Sequence, residues 1–200
     1  MTLCEFTISL EITTLVLLVL VIVVIIAFLI KTHKKHRISS FTISAMEVGM
    51  SPSLTLALDN TDRQIAYKVW VDINTRTIAV PIDLESDNIK AINDSFYNAF
   101  ITTRELIKEI PVHKLSKSKE LVELLTNYLN KLLRPYLTKW GIAYKEWYEG
   151  AQKDESNKTL SFVQLQRLFP QYEELSKDLL EINKKVIVFS NQLHKIAFGE

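Results

Sequence analysis

Three clusters in this 200-residue chain combine residue types able to do chemistry, and each contains an arginine. The first is Trp70 with Thr75-Arg76, where Asp72 and Arg76 stand at i, i+4 and can pair on one helix face. The second is Arg104-Glu105, set in an otherwise apolar stretch. The third is Asn130 and Arg134, again at i, i+4, followed by Pro135, Trp140 and Glu146-Trp147-Tyr148. A planar guanidinium beside aromatic rings suits recognition of a phosphate or a carboxylate, on a small anionic ligand or on a partner protein. The same residues serve equally well to hold helices together and to cover a proline, because polar groups buried between helices must be paired. Both readings stay open for Trp70, Arg76, Arg104, Asn130, Arg134, Trp140 and Trp147.

Catalytic chemistry finds no comparable footing. Four scattered Gly cannot build a phosphate-cradling loop, and no G-x-S-x-G elbow occurs. The single Cys, Cys4, excludes a disulfide framework within the chain and a Cys-based zinc site. Beyond residue 37 the histidines are His113 and His194, far apart in sequence, and the carboxylate pairs Glu173-Glu174 and Asp154-Glu155 fall on polar helix ends. No catalytic residue, cofactor or metal is therefore expected. Charge excludes another class: 24 basic against 23 acidic residues lack the surplus that nucleic-acid binding requires.

The charges are unevenly placed, however. From residue 12 to residue 30 run nineteen residues without a charge, Gly or Pro. About 20 apolar residues cross a hydrocarbon core of roughly 30 Å, so this run predicts a single transmembrane helix. Its N-terminal flank holds Glu5 and no basic residue, unlike a cleavable signal peptide. Lys31, Lys34, Lys35 and Arg37 follow at once. The positive-inside rule then places residues 1–11 outside and the rest in the cytoplasm. Removing those four cations and the two early acids leaves 20 basic against 21 acidic residues, a mixed and solvated surface.

The remaining elements must position the arginine clusters. Residues 38–59 alternate as a β-hairpin around Gly49-Met50-Ser51-Pro52. Residues 60–200 read as a cytoplasmic helical bundle, giving a mainly α fold with one anchor and one hairpin. Asp59-Asn60-Thr61-Asp62 caps a helix running to Ala79 before Pro81, with Ile65, Val69 and Ile73 inward. A second stripe, Ile89 to Ile110, ends at Pro111. A third, Leu121, Leu125, Tyr128, Leu132, Tyr136, Trp140, Ala143 and Trp147, should kink at Pro135. Ser161 and Gln164 form a capping box, and Pro170 suits the first position of a last helix ending before Gly199. That helix carries a coiled-coil-like seam from Tyr172 to Ile196, expected to pack within the chain, with a homodimeric seam as the alternative.

The strings Gln64-Ile65-Ala66-Tyr67-Lys68-Val69-Trp70-Val71-Asp72-Ile73-Asn74-Thr75-Arg76, Thr103-Arg104-Glu105-Leu106, Leu132-Leu133-Arg134-Pro135 and Thr138-Lys139-Trp140 resemble a group of bacterial single-pass membrane proteins. Some of these are linked to anti-phage defence loci. The resemblance implies a helical Trp70 segment, an inner-membrane location and a role in defence, and it carries no activity or catalytic residue. Taken together, the expectation is a non-enzymatic sensor, scaffold or accessory subunit. Its partners would be the lipid bilayer and another protein, or a second copy of itself. The alternative is an effector that binds a small anion and oligomerises to perturb the membrane.

Overall fold

The computed structural model describes residues 17–27, 40–43, 54–57 and 59–199, and the chain divides into two units, Met1–Ile38 and Ser39–Glu200. In the first unit, residues 17–27 form helix α1, apolar and exposed on every side. Among the described residues no helix is long and apolar enough to cross a membrane. The remainder of the expected span, 12–16 and 28–30, lies outside those residues, as do Lys31, Lys34, Lys35 and Arg37.

In the second unit, β1 (Ser40–Ile43) pairs antiparallel with β2 (Leu54–Ala57). The register sets Phe41 opposite Leu56 and Ile43 opposite Leu54. The connecting turn expected at 49–52 falls outside the described residues.

Everything else is helical. Helix α2 (Asn60–Asn74) starts where the caps predict: Asp59 Oδ1 accepts from the Thr61 and Asp62 amides at 2.7 and 3.0 Å, and Asp62 reaches back to the Asp59 amide. Ile65, Val69 and Ile73 are buried as their spacing requires. The C-terminus departs from expectation. The helix stops at Asn74 rather than Ala79, Thr75 bonds back to the Val71 carbonyl at 2.8 Å, and Thr77–Ala79 form a single 3₁₀ turn. Val80, preceding Pro81, is held extended by the proline ring.

A distant side chain explains the early stop. Asn183, buried on the last helix, donates to the Ile78 and Val80 carbonyls at 2.9 Å each and accepts from the Ile82 amide at 3.2 Å. Gln166, also fully buried, repeats the device one step on. It donates to the carbonyls of Leu84 and Asp87 and accepts from the Ile89 amide. The two amides thus supply the bonds that helix would have supplied, and orphaned backbone groups would otherwise be costly there.

Asn88 then caps α3 (Ile89–Lys108), whose stripe Ile89, Ile92, Phe96, Thr103 and Leu106 faces the core. Helix α4 (Lys119–Asn127) leads into a continuous helical run comprising a π stretch, Tyr128–Leu133, one α turn α5 (Arg134–Tyr136), a second π stretch, Leu137–Gly141, and α6 (Ile142–Lys153). Helix α7 (Phe162–Arg167) opens on the Ser161–Gln164 capping box. Helix α8 (Tyr172–Phe198) begins two residues after Pro170, so this proline precedes the cap at Gln171 instead of occupying the first helical position. Gly199 closes α8 in the left-handed region at φ 76°, where an added Cβ would strike the Arg63 guanidinium. The α8 seam packs within the chain: Leu175, Leu179, Ile182, Val186, Phe189, Leu193 and Ile196 all join one core, and α2 lies along it. At its centre Tyr128 stacks on Phe189, ring centroids 4.1 Å apart.

Candidate functional site

Pro135 shapes the site. It has no N–H to offer the Lys131 carbonyl, so an α-helical bond is lost there whatever the surroundings. The chain absorbs this by widening: the Arg134 amide donates to Leu129, five residues back, as in a π-helix. The second π stretch shifts the helical register again. Tyr144 and Tyr148 therefore turn inward, Ala143 lies exposed, and Trp147 is left half-buried, correcting the stripe expected from an unbroken α period. Pro135 lies in one α turn between these two wider segments.

Of the sequence-predicted residues, three converge. Arg104 from α3, Asn130 from the first π stretch and Arg134 from α5 line one lobe of a surface groove, of about 280 Å³. A second lobe of about 550 Å³ shares Phe100 and Arg134 with the first and adds Asn93, Tyr97, Leu137, Ile142 and Lys145. The groove thus runs between α3 and the helical run that faces it. Its apolar side chains are uncovered: Tyr97 is 57% exposed and Ile142 70%. The Arg134 guanidinium carbon lies 5.7 Å from the centre of the Phe100 ring, a cation–π placement.

Two polar features distinguish this groove. Among the described residues neither Arg104 nor Arg134 forms an ion pair, and Glu105, next to Arg104, pairs with Lys108 instead. Asn93, buried on the floor, accepts a hydrogen bond from the Tyr136 hydroxyl at 2.8 Å, while its Nδ2 donors have no partner.

The other candidates serve the fold. Arg76 grips Asp72 with two bonds, Nη2–Oδ1 at 2.7 Å and Nε–Oδ2 at 3.1 Å, as the i, i+4 spacing predicts. Trp140 is buried and donates from Nε1 to Asp178 at 2.9 Å, and Lys139 bonds the same carboxylate at 2.7 Å. Those bonds, that from Lys139 foremost, hold the Asp178 carboxyl below the ordinary aspartate range. Trp147 packs edge-on to Phe169, and Trp70 sits in a separate cluster with Tyr67, His194 and Phe198 on α2 and α8. Asn93, Tyr97 and Ile142 escaped the sequence reading; the half-apolar, outward side of α3 at Tyr97 and Ile101 was their one visible signal. Among the described residues no group of three or more His, Cys, Asp or Glu side chains could hold a metal ion.

No protein-family model, curated protein or solved structure matches this chain.

Proposed function

We propose that this chain is a non-enzymatic, single-pass adaptor of the inner membrane whose helical domain captures a partner protein. The groove between α3 and the 134–145 segment carries this reading, since it sets uncovered apolar side chains beside two arginines that form no ion pair among the described residues. An apolar patch of this kind, rimmed by charge, is the usual form of a protein-docking surface. The anchor is residues 12–30, supported by the uncharged run and by an α1 that is apolar all round, a pattern suited to lipid rather than water. The cations at 31–37 orient it, leaving the bundle in the cytoplasm. The resemblance to membrane proteins of defence loci extends the proposal to a bacterial anti-phage system.

The test is affinity capture from detergent-solubilised membranes with the full-length chain as bait. A partner is expected with the wild-type bait and lost with Ile142→Asp, which places a charge on an exposed groove position. Recovery of the chain alone refutes the adaptor reading.

A further inference from the structure

The geometry points to the occupant of the groove: an amphipathic helix of the partner protein, with apolar side chains set against Tyr97, Phe100, Leu137 and Ile142 and a carboxylate held between Arg104 and Arg134. Such an occupant presupposes the adaptor role proposed above. Three observations define it. The first is the wall chemistry. α3, one whole side of the groove, spends its backbone donors and acceptors within the helix, so no ladder exists for an extended strand to join. A helix, whose own backbone is already satisfied, meets no such demand.

The second is length. From Asp94 to Lys108 the lined face of α3 runs about 21 Å at roughly 1.5 Å per residue, which matches about 14 residues or four turns of a partner helix. The third is the order of chemistry along that face. Along α3, Tyr97 and Phe100 precede Arg104, and Arg134 borders both lobes; Asp94 and Lys145 line the Tyr97 lobe, and Ile107, Leu129 and Lys108 the Arg104 lobe. An acidic side chain at one end of an apolar stripe complements this arrangement, since two arginines line the Arg104 lobe and guanidinium groups suit a carboxylate.

The experiment is panning of a phage-displayed library of helical peptides, about 15 residues long, against the full-length chain in detergent micelles. Wild type is compared with Arg104→Gln, Arg134→Gln and Ile142→Asp, and unchanged melting curves separate lost binding from lost fold. Selected peptides should carry an apolar stripe at i, i+3 or i+4, and i+7 with an acid beyond it. Their binding should weaken on the order of tenfold with either arginine substitution and vanish with Ile142→Asp. Peptides lacking the acid, or indifferent to both arginine changes, overturn the proposal, as does a selection that enriches nothing. A melting shift with inorganic phosphate or ATP that Arg134→Gln removes, with no peptide selected, assigns the groove to a small anion and overturns it too. If membrane capture still recovers a partner with the groove variants, the adaptor role stands and the groove is not where it acts.

Discussion

The connection between α2 and α3 and the groove beyond α3 use the same chemistry to opposite ends. In the connection, the buried amides of Asn183 and Gln166 each make three hydrogen bonds to main chain that no helix or sheet satisfies. In the groove, the buried amide of Asn93 makes one bond and leaves Nδ2 idle. Among the arginines, Arg76 and Arg167 are bonded to Asp72 and Glu85, whereas Arg63, Arg104 and Arg134 form no ion pair among the described residues, and the last two line the groove. The bonded amides show where the chain holds itself, and the docking reading proposed for the groove rests on the two arginines and the uncovered apolar surface beside them.

The sharpest way to break this contrast is to remove the clamps. Asn183→Leu or Gln166→Leu strands two carbonyls and one amide, and each should lower unfolding stability by about 2–4 kcal/mol, read as an earlier urea midpoint. Asn93→Leu removes only the acceptor of the Tyr136 hydroxyl and should cost about 1 kcal/mol. Equal losses at the three positions would show that the groove amide is as structural as the others.

A satisfied anion behind the groove wall gives a pH signature. Asp178 has its folded pKa lowered, chiefly by the Lys139 bond, so its contribution is complete above the unfolded value and is lost as pH falls through the folded one. Asp178→Asn, which keeps an acceptor for Trp140, should flatten the fall in stability below roughly pH 4 in acid titrations. An unaltered acid limb would show that the Lys139 pair carries no weight.

Smaller effects complete the series. A double-mutant cycle on Asp72 and Arg76 should give a coupling of about 0.5 kcal/mol, the scale of a partly exposed i, i+4 pair. Arg104→Gln and Arg134→Gln should leave stability within about 0.5 kcal/mol while weakening partner binding on the order of tenfold. A destabilisation matching that of the clamp variants would place these arginines with the fold rather than with a ligand.

Much of the helical plan was legible because it is local. The caps at Asp59 and at Ser161–Gln164, the left-handed stop at Gly199, the Asp72–Arg76 pair and the buried stripes of α2, α3 and α8 all depend on residues within a few turns of each other. Local spacing could not end α2 at Asn74, because the bonds that replace its last turn come from Asn183, more than a hundred residues away. Nor could it place Tyr144 inside and Ala143 outside, since the stripe was counted at the α period and two π stretches move it.

The amino-acid sequence by itself determined the uncharged run and its basic flank, the caps at Asp59, Ser161 and Gly199, and which residue types are available for recognition, because each follows from composition or short-range geometry. Only the tertiary structure decided which of the arginines are spoken for. Arg76 pairs one turn away along its own helix, but whether Arg104, Asn130 and Arg134 meet depends on α3 lying against a helical run widened at Pro135. Side chains 26 and 30 positions away from Arg104 share a groove for no local reason; packing of the whole core brings them there.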